Sequence, residues 1–280
     1  MLTTETANIN ITDLFKGDLQ LTSSPTLFLE LKRVLEDPNK SLADAGNIII
    51  NDPSLTMRLL KLVNSSYYGF PRRIATVTHA ISIIGSNELQ HLVLATLIIA
   101  KFSAEPSGII TMHDFWAMGL RSALTAKELA IQCKIRDNKE AVFICGLLHD
   151  IGKLVFYRRI PELSRKIGLL AERTGEPEVD VEHKILGFNH YDAGAELAKL
   201  WNLPTIISET IAQHCRPDSL SPFRIVADLV RSANLISKME LSEQATDLRE
   251  WGITDDELGK IIDKVDDQFE EVFSIFYPGL

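Results

Sequence analysis

Apolar residues recur three and four positions apart along most of the chain. Leu27, Leu31, Val34 and Leu35 form one stripe, and Leu42, Ala45, Ile48 and Ile49 a second. Leu55, Leu59, Leu62 and Val63 form a third. This is the period of amphipathic helices. No stretch sustains an alternation of period two, so the pattern predicts an all-α fold. Helix starts are marked by polar residues. Ser24 stands before Pro25, Ser41 has Asp44 three residues on, and Asp52 stands before Pro53. Each is the pattern of an N-cap, with proline tolerated in the first turn because its missing amide has no partner there. Gly85 ends a short helix, and Ser86 is expected to cap a long one from Asn87 to about Phe102. Thr254 with Glu257 is a full capping box, and Ile253 and Leu258 occupy the positions of a hydrophobic staple. A final helix to about residue 275 follows from them.

The middle of the chain predicts helices near 111–134, 139–157 and 162–173, with 174–178 as a loop. Another begins at Asn189 or His190 and stops near Trp201. The next follows Pro204 and carries His214. A Pro/Ser loop at 216–222 precedes a helix over about 223–238, and 239–252 has no decisive pattern. Glu105-Pro106-Ser107-Gly108 is the best internal boundary. The chain is thus expected to comprise a polar, unpatterned arm (1–20), a helical half (21–105), a second helical half (106–237) and a helical extension (238–280).

The run Gly146-Leu147-Leu148-His149-Asp150-Ile151-Gly152-Lys153-Leu154-Val155 changes the picture. A His-Asp doublet in an apolar helix costs desolvation free energy unless it is paired or coordinated. Lys153 lies one turn on, where an ammonium beside a metal would suit phosphate. His190 and His214 sit on later helices, so three helices can bring His149, Asp150, His190 and His214 to one site for zinc or iron. The plainer readings stay open: His190 as a helix N-cap, and His214 as a cation at a helix C-terminus. Asp114 and Met118 lie one turn apart on the preceding helix.

A second cluster gathers Arg58, Lys61, Asn64, Arg72 and Arg73 with Tyr67, Tyr68 and Phe70. Arginines suit phosphates and aromatics suit bases. The same residues also suit a loop packed between two helical halves, with Asn64 and Ser65 capping.

Composition narrows the rest. The 280 residues are 45% hydrophobic and 24% charged, with a net charge of −9, and this acidity argues against non-specific nucleic-acid binding. The run Leu92–Ala100 is too short to span a bilayer, and Met1–Gln20 lacks the pattern of a secretory signal. Membrane insertion is not expected. Cys133, Cys145 and Cys215 show no CxxC spacing, which fits reduced thiols in a cytoplasm. Cys145, one turn before His149, and Cys215 also leave a redox or metal sensor open, beside the reading of buried structural thiols.

Several motifs together resemble the HDOD family. They are Asp52-Pro53-Ser54-Leu55 through Asn64-Ser65, Tyr68-Gly69, the Ile74…Val77…Ala80-Ile81…Ile84-Gly85 run, and Gly146–Val155. Gly187-Phe188-Asn189-His190-Tyr191-Asp192-Ala193-Gly194-Ala195 and Trp201-Asn202-Leu203-Pro204 complete the set. The resemblance covers roughly residues 21–237. It implies a multi-helical bacterial signal-transduction module, a branch of the HD and HD-GYP phosphohydrolase superfamily, mostly without demonstrated catalysis. Carried over residue by residue, the superfamily's metal ligands match His149, Asp150, His190 and His214, and its lysine matches Lys153. The first histidine falls at Met118 and the final aspartate at Asn234, and the GYP signature is absent. A thioether and an amide replace an imidazole and a carboxylate, which weakens the case for a bimetallic hydrolytic centre.

The resemblance therefore implies a regulatory binding module with a degenerate HD site, holding at most one divalent ion (Fe, Zn or Mn). Its partner would be a signalling protein or a small nucleotide-like ligand. Arg58, Asn64, Tyr68 and Arg72 are the candidate contact surface. The alternative is a metal-dependent phosphohydrolase or phosphodiesterase acting on a nucleotide or cyclic dinucleotide, with Lys153 as its phosphate clamp.

Overall fold

Local capping chemistry starts many of the helices. In the computed structural model, which describes residues 9–18, 21, 23–103, 110–215, 220–238 and 251–278, every long element is helical and no strand occurs among these residues. The elements are α1 (Thr26–Glu36), α2 (Leu42–Ile50), α3 (Pro53–Val63), α4 (Val77–Ile84), α5 (Ser86–Phe102), α6 (Met112–Gln132) and α7 (Lys139–Leu148). They continue with α8 (Gly152–Arg159), α9 (Pro161–Thr174), α10 (Glu178–Leu186), α11 (His190–Leu200), α12 (Thr205–Gln213), α13 (Arg224–Ser237) and α14 (Asp255–Phe276). Residues 1–8 of the arm, the boundary at Glu105–Gly108, 216–219 of the Pro/Ser loop and 239–250 of the unpatterned segment lie outside the described residues.

The boxes at Ser41–Asp44 and Thr254–Glu257 are both made, and Asp52 accepts from the Leu55 amide with Pro53 in the first turn. Two expected caps are corrected. The Pro25 carbonyl accepts from the Phe28 and Leu29 amides, which makes Pro25 the N-cap of α1 and leaves the Ser24 hydroxyl buried without a partner. Gly85, at φ 86°, turns the chain so sharply that Ser86 is already the first residue of α5. The arm is also more ordered than its composition implies. Ile11–Phe15 forms a 3-10 turn that buries Leu14 and Phe15. Asp18 accepts from Arg158 Nε at 2.6 Å, tying the arm to α8.

Helix α6 packs against α7, α13 and α14, and α11 packs against α8 and α12. One contiguous buried cluster runs from Leu14 to Phe276. The last helix closes over the first half: Glu271 accepts from the Ser66 amide at 2.9 Å, and Gln268 donates to the Ser66 carbonyl at 3.2 Å. No single helix is long and apolar enough to cross a membrane among the described residues.

The helix expected over 139–157 is broken at the His-Asp doublet. The Ile151 amide bonds to the Leu148 carbonyl and the Lys153 amide to that of Asp150, so the bonds tighten to the three-residue spacing across the turn. Gly152 then meets α11 face to face. A Cβ there would lie 1.7 Å from the His190 carbonyl oxygen. Only a bare backbone lets α8 and α11 approach so closely, and this contact sets His190 against Asp150.

Two outcomes follow. Gly152→Ala should lose about 3 kcal/mol or more in urea unfolding, because the clash is with backbone rather than a yielding side chain; wild-type stability would refute the contact. Asp18→Asn should cost about 2 kcal/mol at neutral pH by removing a charged hydrogen bond from Arg158. Arg158 and the Leu21 amide, acting against burial, hold the Asp18 carboxyl below its usual range. The difference between variant and wild type is therefore full above that range and disappears on acidification.

Candidate metal centre

Four elements deliver the site. His149 caps the C-terminus of α7, Asp150 follows in the turn, His190 is the first residue of α11, and His214 caps α12. His190 is not an N-cap: Asn189 fills that role, in a box with Asp192. His214 is only 1% exposed, His149 and His190 2% each, so none of them is a surface cation.

Backbone carbonyls fix two of the rings. His149 Nδ1 lies 2.7 Å from the Gly146 carbonyl oxygen, and His214 Nδ1 lies 3.0 Å from that of Ile211. A carbonyl only accepts, so Nδ1 carries the proton in each ring and the neutral imidazole presents its lone pair at Nε2. His190 is held by an acid instead. Glu182, itself buried, receives Nδ1 at 2.6 Å and the His190 amide at 2.9 Å. The Nε2 atoms of all three are buried; those of His149 and His214 make no hydrogen bond, whereas that of His190 faces Asp150.

They point to one place. One ligand atom each from His149, Asp150 and His214 falls within 4.8 Å of the others. His190 Nε2 approaches the same carboxylate, 3.3 Å from Asp150 Oδ1. The imidazole nitrogens of His149 and His214, with the half-buried Asp150 carboxylate, form a donor set that could hold a transition-metal ion, while His190, held by Glu182 from behind, faces the same carboxylate.

The electrostatics agree with this division. Burial pushes His149 down to about 4, helped by His214 and Lys238 and opposed by Asp150. Burial also opposes a charge on His190, but Glu182 and Asp150 prevail and raise it to about 9. Burial works against the Asp150 carboxylate too, yet His149, Lys153 and His190 hold it well below the usual range. Lys153 Nζ sits 2.7 Å from Glu178 and 3.7 Å from Asp150, so the lysine is already engaged by two acids.

Met118 and Asn234 both border this centre. With His149, Asp150, Lys153 and Lys238 they line a cavity of about 30 Å³. Asp114 does not reach it: it closes the first turn of α6 by accepting from Thr111 Oγ1 at 2.8 Å. None of Arg58, Asn64, Tyr68 and Arg72 lines the cavity. Asn64 clamps its own loop, donating to the Leu60 and Ile74 carbonyls and accepting from the Ile74 amide. The Tyr68 hydroxyl donates to Glu88 at 2.8 Å, and Arg58 reaches Ser54. Arg72 is exposed.

A sequence model of the HDOD domain matches residues 21–217. The chain belongs to the HDOD family. It is 31% identical over 219 residues to an uncharacterized protein of Treponema pallidum (strain Nichols), covering 75% of this chain and 41% of that protein's length. The HDOD fold is shared with an HDOD domain protein of unknown function from Geobacter sulfurreducens, at a TM-score of 0.74 and 21% identity, over 95% and 96% of the two chains. A Shewanella amazonensis SB2B protein whose name suggests a phosphohydrolase aligns at 0.73 and 24% identity, over 94% and 97%. A Marinobacter aquaeolei VT8 protein whose name suggests signal transduction aligns at 0.66 and 20% identity, over 96% of this chain and 61% of that one.

Two supporting residues escaped the sequence reading. Glu178 and Glu182 both lie on α10, a helix that went unrecognised between the 174–178 loop and Asn189. Val181, Ile185 and Leu186 carry its apolar period, and Gly187 its stop, so the signal was present. The thiols divide. Cys145 is fully buried, and burial pushes its thiol up to about 12, as for a structural cysteine. Cys215 is exposed, with its sulfur 3.1 Å from the Tyr191 hydroxyl.

In chelator-treated protein, the His190 ring should titrate near 9 by NMR, and Glu182→Gln should bring it down. Because the folded value is raised, the Glu182 contribution to stability is full below about 6.5, the usual imidazole value, and is lost as pH rises through about 9. An unchanged titration in the variant would refute the pairing.

Proposed function

We propose that this HDOD protein is a non-catalytic signalling module whose reduced HD site holds a single divalent ion. The observation that carries the reading is the pair of buried, unpartnered Nε2 atoms of His149 and His214 beside Asp150, next to Met118 and Asn234 where two further ligands would be needed. His149, Asp150 and His214 would hold the ion, with His190 set against Asp150 Oδ1 beside them. At a complete HD site a metal activates water and neutralises phosphate charge. Here the ion's role is to satisfy the imidazoles and lock α7, α11 and α12 together. The output is then a surface read by a signalling partner.

Two features weigh against hydrolysis. A cavity of about 30 Å³ holds an ion or one water, whereas a nucleotide needs several hundred. Lys153 is spent on Glu178 and Asp150 rather than free to take phosphate. The alternative, a metal-dependent phosphohydrolase of nucleotides or cyclic dinucleotides, draws its support from the intact His149, Asp150 and Lys153 geometry.

Elemental mass spectrometry of untagged protein purified without chelator distinguishes them. The expected result is about one iron, zinc or manganese per chain, lost in His149→Ala, with no cleavage of a broad phosphodiester panel. Metal-free wild-type protein would refute the metal centre. Turnover that disappears in His149→Ala would refute the non-catalytic reading.

A further inference from the structure

Away from the histidines, a pocket of about 400 Å³ lies between the Tyr68–Phe70 loop, α4, α5, α6 and the start of α7. Phe70, Ile84, Ile131 and Ile135 give it apolar walls, and Lys127, Glu88 and Tyr68 line it with polar groups. Its volume is in the range of small-molecule sites. Ile83 and Ile131, also in the lining, are 43% and 57% exposed, so apolar surface here is open to water.

Lys127 is the anomaly. Its ammonium lies over the ring faces of Tyr67 at 3.3 Å and Tyr68 at 4.9 Å, yet no carboxylate of the described residues pairs with it. Its acidic neighbours are occupied: Glu88 accepts from the Tyr68 hydroxyl, and Glu128 is bound by Lys264 at 2.7 Å. Burial pushes the Lys127 ammonium down to about 8 although both acids favour its charge. A half-buried cation that rests on aromatic faces, with Glu88 and Glu128 near but bonded elsewhere, lacks the strong hydrogen bonds that an anion would supply.

We propose that this pocket binds a small monoanionic carboxylic acid with an aromatic or aliphatic body, its carboxylate on Lys127 and its body against the isoleucines and Phe70. Two lysines, Lys127 and Lys139, line the pocket beside two acids, Glu88 and Glu140, so one added negative charge suits it better than the two of a phosphate. The site lies apart from the metal centre and does not depend on it, but α7 joins the two. That ten-residue helix begins at the pocket with Lys139 and Glu140 and ends at His149.

The test is calorimetric titration of the full chain at neutral pH with 4-phenylbutyrate and with the neutral 4-phenylbutan-1-ol. The acid should bind at least tenfold more tightly than the alcohol. Lys127→Met should remove most of that preference, and Ile131→Glu, at an exposed position tolerant of substitution, should weaken the acid at least tenfold without lowering Tm. Equal binding of acid and alcohol, failure of either to bind at millimolar concentration, or acid binding unchanged in Ile131→Glu would each overturn the proposal. Should Lys127→Met fail to fold, Ile131→Glu and the alcohol decide alone. Metal content is unchanged in both variants if the two sites are independent, so this result stands apart from that of the metal measurement.

Discussion

The second half of the molecule is arranged around two buried imidazole nitrogens, Nε2 of His149 and of His214, that have nothing to bond among the described residues. A buried polar atom without a partner costs about 1–3 kcal/mol, and two of them are a sizeable part of a typical net stability of about 5–15 kcal/mol. The cost is not an accident of loose packing. The carbonyls of Gly146 and Ile211 and the carboxylate of Glu182 hold each ring so that Nε2 faces inward. The close approach of Gly152 to α11 brings His190 to the Asp150 carboxylate. A backbone so disposed would be pre-organised for the proposed ion, since the rings are held in place without it.

The first half answers a different constraint. Its most recognisable stretch, Asn64–Pro71, is a loop, and a loop must satisfy its own backbone. Asn64 does this with three bonds to Leu60 and Ile74, and Ser65 returns to the Leu62 carbonyl. Helix α14, beyond the span matched by the family, then takes both the amide and the carbonyl of Ser66. The polar residues that read as a contact surface are therefore largely a device for holding a turn. Tyr68 is the exception, because its ring borders the Lys127 pocket while its hydroxyl serves Glu88.

How much was legible follows the range of each interaction. Ser41, Asp52 and Thr254 cap within three residues of themselves, so sequence alone located those starts, while the choice between Asn189 and His190 stayed open until the structure gave the cap to Asn189. Ser24 and Ser86 misled because a neighbour took the position: Pro25 offered its carbonyl one residue later, and Gly85 turned the chain one residue earlier. The break after Leu148 depends on α11 crossing at Gly152, a contact some forty residues away in the chain that no local period records. The same holds for Glu182 and Glu178. Their helical period was readable, but that they support His190 and Lys153 depends on how α10 folds back. The four ligating types were legible as candidates; their convergence was not, because it is a property of three separate helix ends.

Under the proposed reading, charge favours one ion over two. A divalent ion at the imidazoles would be balanced by Asp150 directly and by Glu182 through His190. Glu178, the other nearby acid, is already committed to Lys153. An aspartate at position 234 would supply the missing charge, but Asn234 brings only a dipole, and Met118 brings a soft sulfur that hard ions take poorly. A second divalent ion would therefore add its charge beside Lys153 and Lys238 with no further carboxylate to meet it. In a buried site, where screening is weak, that repulsion is decisive. Met118 and Asn234, where the family resemblance places two further ligands, line one cavity with Asp150, and its volume of about 30 Å³ has room for an ion or a water, not for a substrate and its metals.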